Sequence, residues 1–131
     1  MNRRNGVDIE VTGIGDFTKA ARKAKDKDTL IAIKAANKVG SEIVKVKAKT
    51  LVPVGKTGKL GRSIKAGASI KRGTVSAGSA ALPYAGPIHF GWATHNIEPQ
   101  PFIYEAIDDR REAVWAAYDL QITKVVNSFG I

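Results

Sequence analysis

Apolar positions along this chain follow a helical period at two places and a strand period between them. Over 29–51, Ile33, Ala36, Val39, Gly40, Ile43, Val46 and Leu51 gather on one side at about 100° per residue, which predicts a helix buried along that side. Asp26 or Asp28 stands where a carboxylate can accept from the free backbone N–H groups of its first turn. Pro53 stops it, because proline lacks the donor and disfavours helical geometry at Val52. A second helix is predicted over 102–127, burying Phe102, Ile103, Ala106, Ile107, Ala113, Val114, Ala117, Tyr118 and Val125.

Between the helices the period drops to two. Leu60, Arg62, Ile64, Ala66, Ala68 and Ile70 share one face of a half-buried strand over 60–70, and Arg72-Gly73-Thr74 turns the chain into a hairpin partner beginning at Val75 and Ala77. A short strand over 88–90 is expected beside that hairpin. At the start, Val7, Ile9 and Val11 alternate with Asp8 and Glu10 as a short strand or arm, and Asp16 is placed to cap a short helix through position 25. The pattern predicts one domain over 1–131, made of an arm and short helix (1–28), a basic helix (29–51), antiparallel strands and loop (60–91) and a C-terminal helix (102–127). The class is α+β: a small antiparallel sheet packed against two long helices, with a short N-terminal arm.

Charge changes the picture. The chain of 131 residues has 21 Lys and Arg against 12 Asp and Glu, a net of +9. Residues 1–72 hold 18 against 6, a net of +12, and residues 73–131 hold 3 against 6, a net of −3. Lys27, Lys34, Lys38, Lys45 and Lys49, spaced by 7, 4, 7 and 4, fall on one stripe of the first helix, expected opposite its buried side and unbroken by acidic residues. Glu105, Asp108, Asp109, Glu112 and Asp119 form an acidic stripe on the second helix. A charged stripe is either a solvated face or a docking face; opposed stripes on one chain point to an anionic partner or to self-association, one half of a subunit facing the other half of its neighbour.

Several classes of chemistry lack their residues. With 44% hydrophobic residues the chain can bury a core, and no run approaches the roughly 20 apolar residues of a membrane span or resembles a secretory leader, so no membrane association is expected. The absence of cysteine excludes a disulfide framework, a thiol nucleophile and thiolate metal sites, and is consistent with a reducing compartment. Gly55-Lys56-Thr57 ends like a phosphate loop, but the glycine needed five residues earlier is Thr50, and the helix-to-strand order is reversed. His89 and His95 do not match metal-ligand spacing and read as loop or interface residues. The carboxylates of the second helix can in principle hold a hard cation, although a solvated or subunit-facing side suits them better. Trp92, Trp115, Tyr84 and Phe90 are able to stack on bases, yet they do not interleave with the basic residues. No enzymatic site, cofactor or metal is expected. One reading of the charge is a small basic protein that binds nucleic acid non-specifically through phosphate contacts.

Three segments carry a resemblance. They are Val52-Pro53-Val54-Gly55-Lys56-Thr57-Gly58-Lys59-Leu60-Gly61-Arg62-Ser63-Ile64, then Pro83-Tyr84-Ala85-Gly86-Pro87-Ile88-His89-Phe90-Gly91, then Pro99-Gln100-Pro101-Phe102-Ile103-Tyr104-Glu105-Ala106 leading into a long helix. In this order and spacing they resemble the tail-component family of long-tailed double-stranded-DNA phages, whose members act at the neck as tail-completion or head–tail joining proteins. His89 departs from the pattern, standing where many relatives have Glu.

The resemblance, which covers about residues 29–127, implies a non-enzymatic virion protein assembled in the host cytoplasm. It implies a ring of identical subunits, a hexamer matching tail symmetry, between the head–tail connector and the tail-tube or tail-terminator proteins. Lys34, Lys38, Lys45 and Lys49 would face the DNA lumen or an acidic neighbour, and Glu105, Asp108, Glu112 and Asp119 a partner subunit. Pro53, Gly58 and Leu60 would shape the turn into the strand, Tyr84, Ala85, Phe90 and Gly91 the sheet edge and its turn, and Pro101 and Phe102 the angle of the last helix.

Overall fold

A computed structural model of the chain describes residues 6–11, 27–53, 58–70, 72–78 and 85–128. In chain order these form β1 (Val7–Glu10), α1 (Lys27–Leu51), α2 (Lys59–Arg62), β2 (Lys65–Ala68), β3 (Gly73–Ala77), α3 (Ala85–Phe90), a 3-10 turn (Ala93–His95) and α4 (Phe102–Ser128). The α+β class stands, with a three-stranded antiparallel sheet ordered β1-β3-β2 beside two long helices. The helix expected over 16–25 and the Gly55-Lys56-Thr57 loop lie outside the described residues.

Strand period sets the sheet. Val7 pairs with Ala77 and Ile9 with Val75, while Ala66 pairs with Val75 from the other side. Val7, Ile9, Val75 and Ala77 are buried, and Asp8 and Glu10 point to solvent. The third strand is therefore the N-terminal arm rather than 88–90.

Two segments read as strand are helical. Over 59–62 the chain makes a turn of helix launched from Gly58, whose φ of 65° suits glycine, and closed by Ser63, whose Oγ donates to Leu60 O at 2.6 Å. Leu60 and Ile64, four apart, are both buried. A helical turn puts both inside and leaves Arg62 exposed, whereas a strand would have carried Arg62 to their side. The segment 85–90 is helical because Pro87 lies in a first turn, where its missing N–H costs nothing. Gly91 ends it at φ 84°, donating to Pro87 O at 2.7 Å.

Helix α1 lies across β2 and β3, and α4 packs along α1. The α1 face turned inward carries Ile33, Ala36, Asn37, Gly40, Ser41, Val44 and Ala48. Expected core residues Val39 and Val46 are exposed instead, as is Ala113 on α4. Polar groups explain the rotation of α1: Asn37 Nδ2 donates to Ser69 O at 2.8 Å and Ser41 Oγ to Gly67 O at 3.1 Å, so two polar side chains bind the carbonyls of β2 and its turn. Buried donors that find such acceptors cost little to desolvate. Close backbone approach does the rest. A Cβ on Gly73 would lie 2.6 Å from Asn37 O, and one on Gly40 would lie 3.3 Å from both Tyr118 Cε2 and Val114 Cγ1.

Candidate functional site

The lysine row of α1 stands beside the sheet rather than opposite the core. Helical geometry sets it roughly a third of a turn from the centre of the buried face, and Lys38 Nζ donates to Ala66 O on edge strand β2 at 2.9 Å. The row is not free of acid either. Glu42 receives Lys38 at 3.1 Å and Lys45 at 3.4 Å, being four residues beyond one and three before the other. The Lys38 hydrogen bond holds the Glu42 carboxyl below its ordinary range; partial burial opposes this and the charge of Lys45 assists it. Lys34 and Lys49 are exposed and form no ion pair among the described residues.

Opposite the buried face, α1 presents apolar side chains next to Glu42. Val46 is 62% exposed with Val39 beside it, while Ile31, 57% exposed, falls in line with Lys38 and Lys49. Lys38, Val39, Glu42, Ile43 and Val46 line a shallow groove closed on one side by Arg110 of α4.

The acidic stripe of α4 does lie on its outward face: Glu105, Asp108, Glu112 and Asp119 are all exposed. Asp108 is bound by Arg111 at 2.7 Å, and the neighbouring Asp109 by Lys47 at 3.6 Å and Arg110 at 3.4 Å. Glu105, Glu112 and Asp119, seven residues apart, form no ion pair among the described residues. Trp115, 55% exposed, stands inside this stripe. Its spacing of 7 from Asp108 and 4 from Asp119 was the signal for that placement. Glu42 was signalled the same way, by its distance from two lysines.

The family-motif positions disperse over the fold. Pro53 follows α1, Gly58 launches α2, and Leu60 and Ala85 are buried. Tyr84 lies outside the described residues. Phe90 is exposed at the end of α3, the short helix that contacts edge strand β1. Gly91 admits no side chain, since a Cβ would lie 2.9 Å from Pro99 Cδ. Pro101 O accepts from Glu105 N at 2.9 Å in the first turn of α4, and Phe102 is buried beside it.

His89 is fully buried and is neither a loop nor an interface residue. Its Nε2 accepts from Ile103 N–H at 3.3 Å, giving a partner to one of the unsatisfied donors at the start of α4. The ring sits edge-on to Phe90, Phe102 and Tyr104, at centroid distances of 4.5, 5.1 and 4.8 Å. Burial pushes its pKa down to about 4, so the imidazole is neutral, and Nδ1 has no hydrogen-bond partner among the described residues. The His95 side chain lies outside the described residues. Among those residues no three His, Asp or Glu are grouped to hold a metal ion, and no helix is long and apolar enough to cross a membrane.

No protein-family model matches this chain, and no curated protein or solved structure matches it significantly.

Proposed function

We propose that this chain is a structural virion protein of the neck or tail of a long-tailed double-stranded-DNA phage, completing the tail and joining it to the head as one subunit of a ring around the DNA channel. The observation that carries the assembly role is a pair of outward helix faces on one subunit, basic and apolar on α1, acidic with Trp115 on α4. A subunit bearing two complementary faces is suited to heterologous contact with its own copies, and such contacts generate rings when the rotation from copy to copy closes. The neck assignment comes from the ordered resemblance of the three sequence blocks. In this reading the ring is a hexamer, its neighbours are the head–tail connector and a tail-tube or tail-terminator protein, and the lysine row meets either an acidic neighbour or the phosphates of passing DNA.

The test is particle assembly. Phage made without this chain should accumulate filled heads and separate tails, and supplying the chain in trans should restore joined, infectious particles containing it. Normal particles in its absence would overturn the reading. Salt-sensitive binding of duplex DNA by the free monomer, with no incorporation into particles, would favour the non-specific nucleic-acid binder instead.

A further inference from the structure

We infer that the outward face of α1 on one subunit docks on the outward face of α4 on a second copy of this chain. Ile31, Val39 and Val46 would meet Trp115 and Tyr104, flanked by matching charge rows. This rests on the reading of the chain as a ring subunit and names the seam by which the ring closes.

Four observations converge on that occupant. First, each face carries exposed large apolar side chains: Ile31, Val39 and Val46 on one, Tyr104 and Trp115 on the other. Second, each apolar row runs beside a charge row mostly of one sign, broken by Glu42 on α1 and by Arg111 on α4. Lys34 and Lys49 on α1, and Glu112 and Asp119 on α4, form no ion pair among the described residues. Third, the helices are of like length, 25 and 27 residues, or roughly 40 Å each, so the rows can run alongside each other. Fourth, the two faces cannot meet within one subunit, because α1 and α4 already pack together through other sides.

Charge also narrows the symmetry. A two-fold contact that sets α1 on α1 or α4 on α4 would bring lysines against lysines or carboxylates against carboxylates. Basic meets acidic when α1 lies on α4, and made head-to-tail this contact leaves one face of each kind open for the next copy. Lys38 and Lys45 contribute less, being shared with Glu42 within the subunit.

Two variants test this. Lys34→Glu with Lys49→Glu makes both faces acidic, and Glu112→Lys with Asp119→Lys makes both basic. All four residues are exposed, so circular dichroism and thermal unfolding should match the parent. By light scattering at high protein concentration and low salt, the parent should associate, and added salt should weaken it. Each variant alone should associate on the order of tenfold less tightly, while their equimolar mixture should recover, since acidic α1 then meets basic α4 and the converse. Val46→Asp should weaken association in the parent without changing the fold. A parent that stays monomeric, variants that associate like the parent, or a mixture that fails to recover would each overturn the seam. None of these touches the neck reading, which stands or falls on incorporation of the chain into particles.

Discussion

Tyr118 Oη donates a 2.7 Å hydrogen bond to Asn37 Oδ1, joining α4 to α1 between two fully buried side chains. Asn37 passes the connection on, since its Nδ2 donates to Ser69 O in the turn after β2. One side chain thus ties both long helices to the hairpin. Tyr118→Phe keeps the ring packing and removes only the hydroxyl, so Asn37 Oδ1 loses a buried donor. The expected loss is about 1–3 kcal/mol of unfolding free energy. Asn37→Leu should cost more, because it removes this acceptor and the donor to Ser69 together. Urea unfolding of the two single variants and the double variant should show a coupling between them; an unchanged midpoint for Tyr118→Phe would mean that the bond contributes nothing.

Gly73 and Gly40 should respond differently to alanine although both lie against α1 or within it. At Gly73 the added Cβ would meet the backbone carbonyl of Asn37 at 2.6 Å, and a backbone atom in a helix cannot step aside. Gly73→Ala should therefore push the hairpin off α1 and destabilise by roughly 1–3 kcal/mol, the range for overpacking a well-packed site. At Gly40 the nearest atoms are side-chain carbons of Val114 and Tyr118 at 3.3 Å. Replacing a mid-helix glycine by alanine favours the helix by about 1 kcal/mol, which offsets a shift of a few tenths of an ångström. Gly40→Ala should be close to neutral, and thermal unfolding of the pair gives the order.

The extent to which the fold is legible in the sequence varies by element. Both long helices follow from periodicity, and the hairpin from alternation around Gly73. The rotation of α1 does not: apolar counting sends Val39 and Val46 inward, and only the carbonyls of Gly67 and Ser69, which are distant in sequence, explain why Ser41 and Asn37 went in instead. Residues 60–64 were ambiguous because Leu60 and Ile64 satisfy a period of two and a spacing of four alike. Of the two charged faces, the acidic one is legible in the sequence as it stands, while the basic one is interrupted by Glu42, whose spacing from Lys38 and Lys45 is the local sign of it. The burial of His89 had no local signal, since its partner is the amide of Ile103, fourteen residues on.

Glu42→Gln should unmask the lysine row. The pairs it makes are exposed, so stability should change by no more than about 1 kcal/mol. Lys38 and Lys45 would lose their shared counter-charge, and the variant should elute from a phosphate-bearing cation exchanger at higher salt than the parent. Unchanged elution would mean that the row is not presented as one face to an anionic surface.

His89 makes the fold sensitive to mild acid, and the sign follows from its burial. Its pKa is about 4 when folded and 6.5 ordinarily, so the unfolded chain binds a proton between those values that the native state refuses. Stability from the neutral ring is complete above about pH 6.5, falls as pH drops toward 4, and changes no further below. At about 1.4 kcal/mol per unit, the loss across that window reaches about 3 kcal/mol. His89→Gln offers Ile103 N–H a carbonyl acceptor that does not titrate. Its Tm should fall less than the parent's between pH 7.5 and 4.5, while the carboxylates common to both chains contribute equally. Parallel Tm profiles for the two would show that the buried imidazole is not the group that titrates.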